Sequence, residues 1–311
     1  MKHYSVLLNE TIEQLNIRPD GIYVDGTLGR GGHSSQILSR LTTGHLYCFD
    51  LDDQAINESR ARLEAISPNF TIIHSNFENM KNELLNFGVE KVDGIVLDLG
   101  VSSPQFDQAD RGFSYRMDGP LDMRMDQTQE LTAEIIVNEY PYEELVKILF
   151  RYGEESFAKQ IARSIEKNRA IKRITTTFEL VDVIKQALPA KVLKQKGHPA
   201  KQSFQAFRIA VNHELSALEK VVEQSLDLLK VNGRCAIITF HSLEDRMVKT
   251  MFKEASTVDV PSRRIPLTQA EMPKAKFDVV TRKPILPSQE ELDENRRSHS
   301  AKLRVIERKG E

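Results

Sequence analysis

In the first hundred residues, segments with the apolar pattern of β-strands alternate with segments that have the apolar spacing of helices. Short runs rich in β-branched and aromatic residues are typical of strands, and the stretches between them have the three- and four-residue apolar spacing of helices. The strand-like runs are residues 22–24, 45–49, 70–74 and 92–97, and the helix-like stretches are residues 33–41, 54–66 and 80–87. Alternating strands and helices predict βαβ units and a parallel sheet.

The pattern changes near residue 107 and returns near residue 213. Helical spacing is clearest in residues 157–168 and 216–230. Strand-like residues return in three places, at 234–240, 277–280 and 302–306. The first of these follows an Asn232-Gly233 pair, which predicts a turn. We therefore predict an α/β sheet domain formed by residues 1–106 and 213–311, interrupted by a mostly helical insert at residues 107–212.

Composition is that of a folded protein, with 40% apolar and 28% charged residues. No stretch approaches the roughly 18 consecutive apolar residues of a membrane span, and no apolar signal region follows the N-terminus. Cys48 and Cys235 are too few for a disulfide framework or a four-cysteine zinc site. Each lies in an apolar run, so we expect two buried, reduced thiols. These features predict a cytoplasmic protein that does not enter the membrane.

Charge is distributed unevenly, although the formal net charge is only −2. Residues 1–150 contain 12 Lys and Arg against 24 Asp and Glu, whereas residues 151–213 contain 13 against 5. A basic block inside the predicted insert favours a polyanionic partner, and a solvated helix surface is the plainer alternative. Its candidate cations are Lys167, Arg169, Lys172, Arg173, Lys191, Lys194, Lys196 and Lys201. Candidates for further phosphate contacts are Arg296, Arg297, Lys302 and Arg304, with a surface strand as the equal alternative.

A glycine-rich turn, residues 26–32, joins the first predicted strand to the first predicted helix. Glycines there allow the backbone to approach a ligand closely. Asp25 ends the strand before the turn, and Asp50 and Asp98 end the second and fourth strands. Ligands of open α/β sheets bind at the carboxyl ends of the strands, so we expect the three acids to face one crevice.

The charge of this turn distinguishes between two cofactors. A dinucleotide needs glycines spaced G-x-G-x-x-G around its pyrophosphate, and Asp25 would repel that group. The chain instead has D-x-x-x-G-x-G from Asp25 onward, which suits the ammonium and sulfonium groups of S-adenosylmethionine. Asp50 is positioned to bind two ribose hydroxyls. We predict S-adenosylmethionine, with a nicotinamide dinucleotide as the alternative.

Several segments, in order along the chain, carry a resemblance to a known family. They are DGTLGRGGHS at 25–34, DLGVSSPQ at 98–105, DRGFS at 110–114, DGPLDMRM at 118–125, YGEE at 152–155, FQA at 204–206, FHSLEDR at 240–246 and SAKLR at 300–304. Together they resemble the bacterial small-subunit (16S) ribosomal RNA cytosine-N4 methyltransferases, the RsmH or MraW family. The resemblance extends over nearly the whole chain.

The resemblance implies a class I, Rossmann-like S-adenosylmethionine-dependent methyltransferase sheet with an inserted, mostly helical domain. It implies methylation of the exocyclic N4 amine of a specific cytidine in 16S ribosomal RNA, within the small ribosomal subunit and in the cytoplasm. A homodimer is compatible with it. The family's cofactor-binding positions fall on Gly31, Gly32, His33, Asp50, Phe77, Asp98 and Gln105. Phe77 would pack on the adenine ring.

The N4 amine of cytosine is a weak nucleophile because its lone pair is delocalised into the ring. Methyl transfer to it needs close positioning and an acceptor for one N–H. Asp98 and Ser103 are the candidate catalytic residues, with a backbone carbonyl of residues 102–104 as an alternative acceptor. Asp98 could instead bind the adenine amine or lie near the cationic centre. The reaction requires no metal and no covalent nucleophile.

Two segments are candidates for contact with the target base, which would have to leave its stack to reach the methyl group. Residues 116–126, rich in Met and Arg, are a candidate pocket wall, although their methionines also suit a core. His241 either caps the end of a strand or lines the pocket. Two other functions stay open: methylation of another nucleic-acid or small-molecule amine, and a non-catalytic role in ribosome assembly.

Overall fold

A computed structural model describes residues 5–100, 108–258 and 274–310 of the chain. The strands in these ranges are β1 (Ile22–Asp25), β2 (His45–Asp50), β3 (Phe70–His74), β4 (Val92–Asp98), β5 (Leu229–Thr239), β6 (Phe277–Val279) and β7 (Lys302–Arg308). They form one sheet in the order β3-β2-β1-β4-β5-β7-β6. The first five strands are parallel, and β7 pairs antiparallel with β5 and with β6. The predicted Rossmann-like α/β sheet is therefore confirmed.

The predicted helices follow the strands in order, and the sheet unit has three helices that were not predicted: one before β1, one after β5 and one between β6 and β7. The helices of the sheet unit are α1 (Leu8–Leu15), α2 (Gly32–Leu38), α3 (Asp53–Glu64), α4 (Met80–Asn86), α11 (Glu214–Leu228), α12 (Ser242–Ala255) and α13 (Gln289–Glu294). The intervening helices are α5 (Ala133–Glu139), α6 (Tyr142–Gly153), α7 (Ala158–Arg169), α8 (Thr177–Ala187), α9 (Ala190–Leu193) and α10 (Lys201–Asn212). No helix in the described ranges is long and apolar enough to cross a membrane.

Apolar residues cover both faces of the sheet, which is why its strands read as continuous apolar runs. Ile95 and Leu97 belong to the core on one face, and Val96 belongs to the core on the other. The predicted thiols are buried and free, with Cys48 in one core and Cys235 in the other. Burial raises the pKa of Cys235 to about 12 and that of Cys48 well above its ordinary value, so both are protonated at neutral pH.

The Asn232-Gly233 pair does not form the predicted turn between a helix and a strand. The preceding helix ends at Leu228, and β5 begins at Leu229 and continues through the pair. Pairing with β4 is irregular here, since Val92 pairs with Leu229 and Gly94 pairs with Arg234. Asn232 has a φ of +67°, a conformation that serves a bulge as well as a turn.

The chain divides into two compact units, residues 1–100 with 216–311 and residues 101–215. These divisions lie a few residues from the predicted boundaries at 106/107 and 212/213. The second unit has its own core, built around the helices α5 to α8 and α10. Its helix starts are well defined: Thr176 and Glu179 form a capping box at α8, and Thr132 caps α5.

Candidate active site

Asp25, Asp50 and Asp98 end neighbouring strands, as the sequence predicts. β1 lies between β2 and β4, and all three strands are parallel, so the three acids lie at the same edge of the sheet. The edge is also where the chain leaves the sheet to form loops that can close around a ligand.

The turn after β1 depends on glycine at more than one position. Gly29 and Gly31 have φ angles of +49° and +71°, which L-residues with side chains rarely adopt. At Gly32 an added Cβ would lie 1.7 Å from the hydroxyl of Ser5. The turn contacts the second strand end directly, since the backbone N–H of Gly29 donates to Asp50 Oδ2 at 2.7 Å. A side chain at these positions would displace the loop and the carboxylate it holds.

Asp50 is held at the end of β2 by backbone groups on both of its oxygens. Gly29 binds Oδ2, and the N–H of Asp52 donates to Oδ1 at 2.9 Å. Burial nevertheless raises the pKa of Asp50 above its ordinary value. A carboxylate anchored in this way keeps acceptor capacity for the hydroxyls of a ligand.

Asp25 is buried and is bound by two neighbours from its own turn and helix. Ser34 Oγ donates to Oδ2 at 2.6 Å, and the backbone N–H of Thr27 donates to Oδ1 at 3.0 Å. Burial raises the pKa of this carboxyl, and the bonds from Ser34 and Thr27 oppose that rise. Ser34 and Thr27 both lie in the motif at residues 25–34, but the sequence pattern predicts no role for either residue.

Thr27 also connects Asp25 with Asp98. Its Oγ1 accepts the backbone N–H of Asp98 at 2.7 Å and lies 3.4 Å from Asp25 Oδ1. One hydroxyl thus joins the ends of β1 and β4. This side chain thus adds to the strand pairing that holds Asp98 and Asp25 side by side.

His33 is buried beside Asp98. Its Nε2 lies 3.2 Å from the carbonyl oxygen of Val6, and its Nδ1 lies 4.0 Å from Asp98 Oδ2. Burial lowers the pKa of His33 and raises that of Asp98, and the proximity of the two groups opposes both shifts. We therefore expect His33 to be neutral when the site is empty of a ligand, so that it does not cancel the charge of the ionised Asp98.

Phe77 follows β3 and opens a short 3-10 helix, Phe77–Asn79, that Asn76 caps. The half-buried ring packs on the core of the sheet unit. A Cβ added at Gly26, directly after Asp25, would lie 3.4 Å from Phe77 Cβ, so the aromatic residue is next to the first strand end. Ser103 and Gln105, the other two predicted site residues, lie outside the described residues.

The residues at this edge fit S-adenosylmethionine. Within the described ranges, no Lys or Arg forms an ion pair with Asp25, Asp50 or Asp98. Three carboxyls with raised pKa values and no cationic partner favour a ligand that brings positive charge. A glycine turn, an acid at the end of β2 and an aromatic ring after β3 could hold the amino acid, ribose and adenine parts respectively.

Other predicted functional residues have structural partners instead. Arg304 and Lys302 both form ion pairs with Asp245. Arg304 is also buried, so the predicted phosphate contact is wrong for Arg304. His241 caps α12, where its side chain accepts the N–H of Glu244. His241 therefore caps the start of a helix and not the end of a strand, as one of the two predicted roles had it.

The predicted basic run separates into two groups. Arg169 is not a free cation, because it donates to the carbonyls of Val137 and Tyr140 at the C-terminal end of α5. Lys172 and Arg173 are exposed but paired, the first with Glu179 and the second with Glu134 and Glu139. Five other lysines are exposed, and no described carboxylate forms an ion pair with them: Lys167, Lys191, Lys194, Lys196 and Lys201.

The candidate pocket wall, residues 116–126, is partly core. Met123 is buried in the second unit, and Met125 packs against the same core. Arg124 forms an ion pair with Asp122 at 2.8 Å and also donates to the carbonyls of residues 127 and 129. These contacts rigidify the segment and leave Arg116 as its exposed arginine.

Comparison with known proteins identifies the family. A family model described as the MraW methylase family matches residues 1–309. Similar solved structures include an rRNA methylase of Streptococcus thermophilus, with 15% identity over 97% of this chain and 93% of that chain and a TM-score of 0.40. Another is a Streptococcus mutans protein assigned as a methyltransferase and solved with S-adenosylhomocysteine, with 14% identity over 98% and 99% of the two chains and a TM-score of 0.44. The family assignment rests on the family model, which covers almost the entire sequence: the chain belongs to the MraW methylase family and is an S-adenosylmethionine-dependent methyltransferase.

Proposed function

We propose that this methyltransferase modifies ribosomal RNA, at the exocyclic N4 amine of a cytidine in the 16S RNA of the small ribosomal subunit. The observation that best supports an RNA substrate is a segment of this methyltransferase that contains basic residues and no acidic ones. Residues 183–213 contain five Lys, one Arg and no Asp or Glu. All five lysines are exposed. A small amine substrate would not need such a surface, whereas an RNA backbone does.

The acids and the aromatic ring of the sheet edge have separate roles in cofactor binding. Asp50 accepts the ribose hydroxyls, and Phe77 packs on the adenine. Gly31, Gly32 and His33 form the loop that encloses the amino acid part. Asp25 and Asp98, which have no cationic partner among the described residues, stabilise its positive charge. Gln105 completes the set that the family resemblance implies.

The chemistry at the target base depends on position and on an acceptor for one N–H. When bound, S-adenosylmethionine supplies an electrophilic methyl group on a sulfonium. Asp98 is the candidate acceptor, because its raised pKa makes it a better base than an ordinary aspartate. Thr27 holds its backbone in place through the 2.7 Å bond. Ser103 is the second candidate, and the amine proton leaves to solvent after transfer.

Residues 101–215 are the RNA-recognition unit in this proposal. The exposed lysines of α9 and the loop after it neutralise backbone phosphates, so binding should weaken steeply as salt is raised. Such binding is independent of sequence, and the choice of one cytidine has to come from the fold of the RNA within the subunit. A small ribosomal subunit would present that substrate in the cytoplasm.

Charge reversal tests the RNA surface. We expect the K194E/K196E double variant to lose at least about tenfold in affinity for 16S RNA at physiological salt, with a smaller salt slope and unchanged S-adenosylmethionine affinity. The matched control is K249E/K253E, which makes the same charge change on exposed lysines of α12. Equal RNA affinities for the two double variants would contradict the proposed surface.

A further inference from the structure

The RNA-recognition unit contains an aromatic stack of Tyr115 and His198. The rings of Tyr115 and His198 are stacked, with centroids 4.4 Å apart and planes inclined by 20°. Phe204 meets Tyr115 edge-on at 5.8 Å and is buried in the core of the unit. The stack is thereby fixed on its inner side, while both of its rings remain half-buried rather than enclosed.

Positive charge surrounds this stack. The guanidinium of Arg116, an exposed residue, lies 5.7 Å from the centre of the Tyr115 ring. Burial lowers the pKa of His198, and the nearby charges of Lys185 and Arg116 lower it further. His198 also lies in the middle of the acid-free segment, between Lys196 and Lys201. An anion would therefore be attracted to the stack.

The Nε2 of His198 is available to donate a hydrogen bond to a ligand. The backbone N–H of Ala200 donates to its Nδ1 at 3.3 Å, so the neutral ring carries its hydrogen on Nε2. In the part of the chain that the structure describes, no group accepts a hydrogen bond from Nε2. This N–H and the Arg116 guanidinium are two donors beside an aromatic surface.

We infer that Tyr115, His198 and Arg116 form a contact site for an unpaired nucleotide of the RNA substrate. The base packs against the aromatic stack, and its phosphate accepts from Arg116 and from His198 Nε2. Aromatic packing combined with cations is how single-stranded nucleic acid is bound without readout of base edges. The inference rests on the proposed RNA substrate, and it adds a base contact to the phosphate contacts of the lysines.

The test compares two labelled single-stranded oligoribonucleotides, one intact and one in which the central bases are replaced by abasic sites. Fluorescence anisotropy measures the affinity of the full chain for each. Loss of one stacked base typically costs roughly 5- to 150-fold in affinity. We expect H198A to weaken binding of the intact oligonucleotide within this range and to reduce the difference between the two oligonucleotides. R116Q should weaken binding of both, because it removes a phosphate contact.

Y115F is the matched control, because it keeps the ring and loses only the hydroxyl; its affinities should stay within about twofold of wild type. Arg116 is exposed, so R116Q tests the site even if H198A loosens the loop. H198A and R116Q variants that bind both oligonucleotides like wild type would overturn the inference and leave the methyltransferase proposal intact. A wild-type chain that binds neither oligonucleotide would contradict the RNA substrate itself.

Discussion

Thr27→Val removes the hydroxyl that joins two strand ends and replaces it with a methyl group of similar size. The Thr27 Oγ1 accepts the Asp98 backbone N–H at 2.7 Å, whereas the bond from the Thr27 backbone N–H to Asp25 at 3.0 Å does not need the side chain. The variant leaves one N–H without a partner at the end of β4. An unsatisfied, partly buried donor costs about 1–3 kcal/mol. If the Asp98 carboxyl moves in response, the same cost appears as roughly a 5- to 150-fold loss in S-adenosylmethionine affinity.

Isothermal titration calorimetry measures this loss directly, and thermal unfolding measures how much of the cost falls on stability. Thr27→Ser is the matched control because it keeps the hydroxyl and removes only the methyl. We expect Thr27→Ser to bind S-adenosylmethionine within a few-fold of wild type and Thr27→Val to bind it far more weakly. Equal losses in the two variants would show that packing of the methyl group matters instead. Wild-type affinity in Thr27→Val would refute the positioning role.

Three further predictions follow from the described contacts. Asp98→Asn should weaken S-adenosylmethionine binding by about tenfold or more and abolish turnover. Equilibrium binding measures the affinity and a single-turnover assay measures the rate; wild-type values for both would contradict this prediction. The affinity for S-adenosylmethionine should rise as the pH is raised through the range in which these carboxyls lose their protons, because burial raises the pKa of Asp25, Asp50 and Asp98 above the ordinary value of 3.8 and a cationic ligand needs them ionised. Calorimetry should detect proton release at the acid end of this range, and a flat or falling affinity would oppose it. Glu179 has its pKa lowered from 4.5 to about 2, chiefly by Lys172, so its stabilising effect is present above pH 4.5 and is lost as the pH falls towards 2. That pKa shift corresponds to at most about 3.4 kcal/mol, and solvent exposure reduces this energy. Glu179→Gln should therefore lower the free energy of unfolding by roughly 1–2 kcal/mol at pH 7 and by almost nothing near pH 2. An equal loss of stability at both pH values would count against the ion pair.

The sheet and its acid edge could be predicted because both depend on local patterns. Apolar runs that end in Asp25, Asp50 and Asp98 mark buried parallel strands. Consecutive strands usually lie side by side, as β1, β2 and β3 do, but β4 lies beside β1 and not beside β3. The position of β5 beside β4 is harder, because it pairs residues more than a hundred positions apart in the chain. Asn232-Gly233 misled the prediction of its start, since positive φ serves turns and bulges equally.

Partners of charged side chains could not be predicted from the sequence. Arg304 and Asp245 are 59 residues apart, and nothing in the local pattern pairs them. The sequence pattern places Arg169 on a solvent-exposed helix surface. In the structure its guanidinium donates to backbone carbonyls at the end of another helix. The Thr27 bond to Asp98 and the stack of Tyr115 on His198 likewise join distant segments. Only the folded arrangement separates such residues from cations that are available to a ligand.

We propose that this chain methylates the N4 amine of a cytidine in small-subunit RNA. The most direct measurement is transfer of a labelled methyl group from S-adenosylmethionine to small ribosomal subunits that lack the modification, with the product identified by nucleoside mass spectrometry. Naked 16S RNA runs in parallel to establish which assembly state is the substrate. We expect labelled N4-methylcytidine in at least one of the two samples. A protein that binds S-adenosylmethionine but labels neither sample, or that labels a different nucleoside, would contradict it.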